Sequence, residues 1–330
     1  MFFSSRQTAI LAILADAQFH SGSEIAKKIG ISRSAVFKQL KKLADYGLEL
    51  TAISGKGYQI ASAMQLLSTS EIENNLSENA RRLITELEIH DYLDSTNRYL
   101  IDKAQQTDKN GLVCFAEFQS AGKGRRGRKW VSPFGSNIYL SILWRFQNGL
   151  AGINGLSLVV GVAVVRALTD CGVENIGLKW PNDILWKNKK LAGILIEVSG
   201  EAGGPCDTVI GLGLNFYLPQ LAAQVIDQDW VDLNTILSTN ACSIRNQFAS
   251  MLLNQLMPMI ATFEQETLDS YLEEWRTYDC MQGKIVDIHQ GKQIFSGVIQ
   301  GIDKNGLLLL ADKHGQVKKF ASGEVSFRPL

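Results

Sequence analysis

At 330 residues the chain is longer than one ordinary hydrophobic core and calls for about two to three domains. Its composition, 45% hydrophobic and 20% charged with 6 prolines, is that of an ordinary globular protein. The net charge is zero, yet residues 1–60 carry eight Lys/Arg against four acids, so a basic head sits on an acidic body. That polarity suits a polyanion-binding end as well as a plain solvated helix. Five widely spaced cysteines (Cys114, Cys171, Cys206, Cys242, Cys280) contain no CxxC pair, and the four histidines are equally scattered. This supports neither a zinc site nor a disulfide framework and reads as reduced, cytosolic thiols.

The apolar stretch Ala9–Ala15 is short for a secretory core and runs on into a charged helical pattern. Ile10, Leu11, Ile13 and Leu14 fall on one face of a first helix. Ser23 is the expected cap of a second helix over Glu24–Ile29, which Gly30 ends. Ser32 caps a third helix from Arg33 to about Asp45, apolar at Val36, Leu40 and Leu43, with Arg33, Ser34, Lys38, Lys41 and Lys42 on its other face. After Gly47, Leu48, Leu50 and Ile53 lead into Ser54-Gly55-Lys56-Gly57 and Tyr58-Gln59-Ile60, a hairpin with a basic tip. Together these make a winged helix-turn-helix over residues 1–63. A small helical module for protein binding would share the helices, but turn, basic helix and basic wing occur together and in order, which favours DNA. Ser32, Arg33, Ser34 and Lys38 are then expected nearest the bases, with Lys56 on backbone phosphate.

From about 66 to 275, strand-like and helix-like stretches alternate, an α/β pattern. Its longest apolar run, Leu158–Val165, is far below membrane-spanning length and fits a buried helix, so no membrane contact is expected. Asp94-Ser95-Thr96-Asn97 precedes a helical Arg98–Ala104 and is also a normal capping sequence. Gln119 to Trp130 is the densest feature, with Lys123, Arg125, Arg126, Arg128 and Lys129 set among glycines. Glycines admit close backbone approach and the cations suit phosphate or carboxylate oxygens; alone, the segment reads equally as a solvated loop or a second nucleic-acid patch. It is neither a Walker loop nor a Rossmann fingerprint. Lys179-Trp180-Pro181-Asn182-Asp183 then leads into paired strands across Lys187-Asn188-Lys189, placing Lys190 at the start of the second strand. Gly211-Leu212-Gly213-Leu214-Asn215 is a weaker signal, since strand glycines can simply mark a bulge. The tail, 276–330, alternates apolar and polar residues between turns at Asn305-Gly306, His314-Gly315 and Ser322-Gly323, which reads as a small β-barrel.

Ser-Thr-Asn, the GKGRRGRKW loop, KWPND and KLAGILIE, in this order, resemble bacterial biotin–protein ligases over essentially the whole chain. With the N-terminal helix-turn-helix, the resemblance is closest to the members that double as repressors of the biotin operon. It implies a multidomain α/β protein: a winged helix, a ligase domain (66–275) on a mixed sheet, and an SH3-like C-terminal barrel. It also implies formation of biotinoyl-5′-AMP from biotin and ATP with Mg²⁺, then transfer to a lysine of the biotin carboxyl carrier protein. Residue by residue, Ser95, Thr96, Asn97, Gln119, Lys123, Gly124, Arg125 and Lys190 match biotin-binding positions. Arg128, Trp130, Lys179, Asn182, Asp183 and Asn215 match the nucleotide side, and Lys190, Arg125 and Lys123 are the expected catalytic cations. The family loop usually begins with arginine where Lys123 stands here, which keeps a charge but loses a planar fork. The resemblance further implies operator DNA as a partner and a homodimer promoted by the adenylate. A lipoate–protein ligase or octanoyltransferase is the nearest rival enzyme, and a ligand-sensing regulator without catalysis the rival of another class. The basic loop and fused winged helix oppose the first, and the intact loop and Lys190 oppose the second.

Overall fold

A computed structural model describes residues 4–44, 48–61, 63–200, 204–238, 241–322 and 325–329. Helix α1 (Ser5–Leu14) starts in a capping box between Ser4 and Gln7 and buries Ile10, Leu11 and Leu14. Helix α2 (Gly22–Ile29) is capped by Ser21, not by the expected Ser23: Ser21 Oγ accepts the Glu24 N–H at 3.1 Å. The reason lies upstream, where His20 exchanges two backbone hydrogen bonds of 2.9 Å with Tyr58 and holds the chain extended up to Ser21. Gly30 ends α2 in the left-handed region, as expected. In α3 (Arg33–Ala44), Val36, Leu40 and Leu43 are buried and Ser32 Oγ accepts the Ala35 N–H at 3.2 Å. Asp45, its expected end, and Gly47 lie outside the described residues. Strands β1 (Leu50–Ile53) and β2 (Gly57–Ile60) form the wing, Leu50 facing Ile60 and Ile53 facing Gly57. The core of this module is completed by Phe134, which belongs to a distant part of the chain.

Two short helices, α4 (Thr69–Asn74) and α5 (Glu78–Leu83), lead into a seven-stranded sheet. Its strands are β3 (Glu86–His90), β4 (Leu112–Ala116), β5 (Ile138–Phe146), β6 (Ile176–Lys179), β7 (Asp183–Trp186), β8 (Lys189–Gly200) and β9 (Cys206–Leu214), in the order β3-β4-β5-β9-β8-β7-β6. Only β3 and β4 run parallel; every other neighbouring pair is antiparallel, so the sheet is mixed. Between β3 and β4 lies α6 (Thr96–Ala104), and α7 (Leu156–Asp170) follows β5. The run Leu158–Val165 is buried within α7, as its unbroken apolar character requires. Helices α8 (Arg245–Glu266) and α9 (Leu272–Thr277) pack on α7, sealing that face of the sheet. The N-terminus of α8 is also tied to the segment that leaves the winged helix. Arg245, fully buried, bonds Glu117 Oε2 at 2.7 Å and the Gln65 carbonyl at 3.0 Å, while Asn246 holds the carbonyl of Leu66 and the N–H of Ser68.

The tail forms five antiparallel strands, β10 (Ile285–Gln290), β11 (Gln293–Ile302), β12 (Leu308–Ala311), β13 (Val317–Phe320) and β14 (Val325–Pro329), in the order β13-β12-β11-β10-β14. The expected SH3-like barrel is not closed: β13 and β14 are opposite edges with no pairing between them among the described residues. Closure needs strong coiling, and only one irregularity, between Ile299 and Gly301, interrupts the ladders of this sheet. The turns at Asn305-Gly306 and His314-Gly315 are held by Asp303 and Asp312, whose side chains accept backbone N–H groups. Gly323, of the third expected turn, lies outside the described residues.

Candidate active site

Five separated segments meet over one face of the mixed sheet: the start of α6, the basic loop after β4, the β6–β7 turn, the start of β8 and the end of β9. They enclose a cavity of about 540 Å³. All of Ser95, Thr96, Asn97, Gln119, Lys123, Gly124, Arg125, Arg128, Trp130, Lys179, Asn182, Asp183, Lys190 and Asn215 line it.

The glycines of β9 explain how the cavity exists. Strand β9 pairs with β5 and β8 in unbroken register, so they do not mark a bulge. Gly211 and Gly213 instead share a face, where a Cβ on Gly211 would lie 2.1 Å from Asn97 Oδ1 and one on Gly213 2.4 Å from Trp130 Cε2. The strand is bare so that α6 and the indole can lie on it.

Ser95 is the N-cap of α6, its Oγ accepting the Arg98 N–H at 3.5 Å, so capping and cavity lining coincide in one residue. The basic loop folds as a tight hairpin, with Gly124 N–H on the Arg128 carbonyl at 2.7 Å and Trp130 N–H on the Gly122 carbonyl at 2.8 Å. Arg125 turns inward, donating to Asn182 Oδ1 at 3.1 Å and to the Ser322 carbonyl of the C-terminal sheet; burial holds its guanidinium below its ordinary value. Trp180 Nε1 donates to the Gly306 carbonyl at 2.9 Å, a second tie between the cavity wall and that sheet.

Lys190 Nζ lies 2.7 Å from Asp183 Oδ1 and 5.5 Å from the centre of the Trp130 ring, both partners fixed by the sheet or the loop hairpin. Burial lowers the Lys179 pKa, against the opposing pull of Asp183. Asn182 and Asn215 use their amides to brace the site, Asn182 on the Ile194 carbonyl at 2.8 Å and Asn215 on the Val231 carbonyl at 3.2 Å. Trp130 Nε1 is buried with no hydrogen-bond partner and is thus a donor available to a bound group. Seven cationic side chains (Lys123, Arg125, Arg126, Arg128, Lys129, Lys179, Lys190) and two acids (Asp183, Asp227) line the cavity. That excess selects a ligand with several negative charges and accommodates a carboxylate beside a polyphosphate.

Sequence reasoning missed Trp230 and the segment Val225–Gln228, which also line the cavity and which no motif marked. It also missed Ser141, buried behind Thr96 and Asn97, whose only signal was a polar residue within an apolar strand. On the winged helix, Ser32, Arg33, Ser34, Lys38 and Lys56 are all exposed. Ser32 and Ser34 lie 3.0 Å apart through their hydroxyls at the start of α3, and Lys56 sits over Phe19 on the wing. Phe37, 56% exposed between these cations, had not been singled out.

Family models match three parts of the chain: an HTH domain over residues 6–59, the Biotin/lipoate A/B protein ligase family over 90–215, and the Biotin protein ligase C terminal domain over 282–328. The Bifunctional ligase/repressor BirA of Escherichia coli is 38% identical, the match covering 97% of this chain and 96% of that protein. Biotin--[acetyl-CoA-carboxylase] ligase of Paracoccus denitrificans is 31% identical over 68% of this chain and 93% of its own. Among solved structures, the biotin protein ligase from Aquifex aeolicus in complex with biotin and ATP superposes with a TM-score of 0.63 at 25% identity, covering 75% of this chain and all of that one.

Proposed function

Because the chain belongs to the biotin protein ligase family, in the form that joins a ligase to a helix-turn-helix repressor, we propose that it performs both tasks. As a ligase, it activates biotin with ATP and transfers it to a lysine of the biotin carboxyl carrier protein of acetyl-CoA carboxylase. As a repressor, it binds the operator of the biotin genes with biotinoyl-5′-AMP as co-repressor. The observation that carries the catalytic half is the gathering of fourteen residues from five segments around one cation-rich cavity.

In the first step a biotin carboxylate oxygen attacks the α-phosphorus of ATP, the bond to the β-phosphate breaks, and pyrophosphate leaves. Two anions must meet, so the chemistry calls for held cations more than for a general base. Lys190, the second residue of β8, supplies one at the meeting point; Lys123 and Arg125 close over the same region from the loop. Mg²⁺ bound with the nucleotide would supply further positive charge to the phosphates, and Asp183 and Asp227 are the carboxylates in the wall that would meet it; among the described residues no group of three or more His, Cys, Asp or Glu side chains gathers to hold a metal. Trp130 and Lys179 face the nucleotide. In the second step the carrier lysine amine attacks the acyl carbon, the bond to AMP breaks, and one proton is lost. No helix among the described residues is long and apolar enough to cross a membrane. We place the work in the cytoplasm because the proposed carrier substrate is there.

On DNA, α3 enters a major groove with Ser32, Arg33, Ser34 and Lys38 foremost while Lys56 takes a phosphate. One module makes few contacts, so specificity requires two copies on a palindrome. The adenylate promotes that dimer by ordering loops that would otherwise lose entropy on pairing, and the carrier competes for the same surface. The test is incubation with biotin, α-labelled ATP and a carrier domain, followed by operator binding with and without biotin plus ATP. Labelled adenylate and biotinylated carrier are expected, with tighter operator binding that added carrier reverses. No adenylate refutes the ligase; operator affinity indifferent to biotin plus ATP refutes the repressor.

A further inference from the structure

Helix α3 turns Val36, Leu40 and Leu43 inward, while Arg33, Ser34, Phe37, Lys38, Lys41 and Lys42 are all exposed. The outward residues come in pairs one turn apart, so they make one continuous face over about three turns. Four of them are cations, and no acid anywhere in α3 interrupts the charge. Phe37 stands on the middle turn of that face, one turn after Arg33 and one before Lys41, and is 56% exposed. It takes no part in the hydrophobic cluster of the winged helix among the described residues, so the fold does not account for it. Ser34, Phe37, Lys38 and Lys41 follow the i, i+3, i+4, i+7 spacing by which a helix lying in a groove presents one edge.

We propose that Phe37 is a specificity-determining residue of this face, reading the 5-methyl group of a thymine in each operator half-site. The inference rests on the reading of residues 1–63 as an operator-binding module and names what one of its residues selects. Charge sets the class of partner: a cationic stripe without acids complements a polyanion, and the major groove of a duplex admits a helix. Along that groove the phosphates offer charge, and the base edges offer mainly hydrogen-bond donors and acceptors. A phenyl ring matches neither. The thymine methyl is the apolar group there that tells one base pair from another, and an apolar side chain such as Phe is what meets it. Ring against methyl takes apolar surface of both partners out of water. A cytosine in that place presents an amine, which the ring would strip of water without replacing its hydrogen bond. Affinity and this part of the selectivity thus come from different side chains of one face, the cations supplying the first and Phe37 the second.

The test uses the full chain with biotin and ATP, which first selects its sites from a random pool of duplexes. Binding to the best site is then measured at several salt concentrations. Deoxyuridine replaces each thymine in turn, symmetrically in both half-sites, which removes the methyl and nothing else. One position should weaken binding by about fourfold per half-site, the worth of one buried carbon. Phe37→Ala should weaken binding to that site by about tenfold or more, leave the salt dependence unchanged, and abolish the response to deoxyuridine there. Phe37→Leu, which keeps an apolar tip, should retain part of the response. The deoxyuridine scan needs no variant, so a folding defect cannot obscure it: a wild-type protein that selects a site yet is indifferent to every methyl overturns this inference alone. Phe37→Ala with undiminished affinity and the same methyl response also overturns it and leaves the ring to a protein partner. So does a loss in Phe37→Ala that is equal on all sequences. If the wild-type protein selects no sequence, this inference and the operator-binding reading fall together.

Discussion

Replacing Lys190 by alanine separates catalysis from folding. The backbone of Lys190 is locked by its own strand and by hydrogen bonds to Asp229 and Val231, none of which involve the side chain, so the scaffold survives. What is lost is a cation 2.7 Å from Asp183, with both side chains at most 20% exposed. A positioned donor to developing charge is worth about 2.7–4 kcal/mol, or a 10²–10³-fold fall in the adenylation rate. The orphaned Asp183 adds repulsion toward phosphate, so Asp183→Asn in the Lys190→Ala background should recover part of the loss. Pyrophosphate release measures the first step, and single-turnover transfer from supplied biotinoyl-AMP isolates the second, which should suffer less. Thermal melting within a few degrees of wild type confirms the fold. Adenylation in Lys190→Ala within about twofold of wild type would refute the argument, because a charge at the reacting centre cannot be worth so little.

Three further outcomes follow from the same geometry. Gly211→Ala puts a Cβ 2.1 Å from Asn97 Oδ1 and should cost about 1–3 kcal/mol in biotin binding, read by calorimetry, with the melting temperature less affected than that of a core cavity mutant. The basic loop, residues 121–129, concentrates five cations and should be cut by trypsin in the free protein and protected by biotin plus ATP; equal cleavage counts against ordering by ligand. His20 is opposed by burial, but hydrogen bonds to Asp16 at 3.0 Å and Glu24 at 3.2 Å outweigh it and raise its pKa. Its contribution to winged-helix stability is therefore complete below pH 6.5 and lost as pH rises through the raised value; the melting temperature should fall over that interval in the wild type and not in His20→Gln.

Most of the architecture could be read because it is written in local pattern. The apolar spacing of Val36, Leu40 and Leu43 gives α3, and the continuous run Leu158–Val165 gives a helix buried all round. The motif residues were legible for a different reason: glycines, cations and a helix cap are scarce and ordered, and the cavity gathers them. The failures are long-range. Local pattern points to Ser23 as the cap of α2, but the wing, some forty residues later, holds the backbone extended at His20 and the cap falls on Ser21. The glycines of β9 carry only a weak signal in the sequence because their reason, Asn97 and Trp130, lies in other segments. Ser141 and Glu197 bond side chains of α6 from other segments, and strand alternation has no symbol for that. Barrel closure depends on accumulated coiling, which turn residues alone do not encode.

The winged helix does not end where its sequence does. Phe134, 2% exposed, belongs to the same buried cluster as Ile10, Leu40, Leu43 and Ile60, although it follows the basic loop of the ligase domain by only a few residues. The DNA-binding module is thus an open box whose lid is fastened to the enzyme. Cut out alone, residues 1–63 would expose the hole that a phenylalanine fills, a loss of about 3–5 kcal/mol by comparison with large-to-small core substitutions. For a unit of some sixty residues with a small core, that is most of the available stability. Exchange of operator specificity between such proteins by swapping the first domain should therefore succeed only when the segment around Phe134 travels with it, which makes the pair, rather than the domain, the heritable unit.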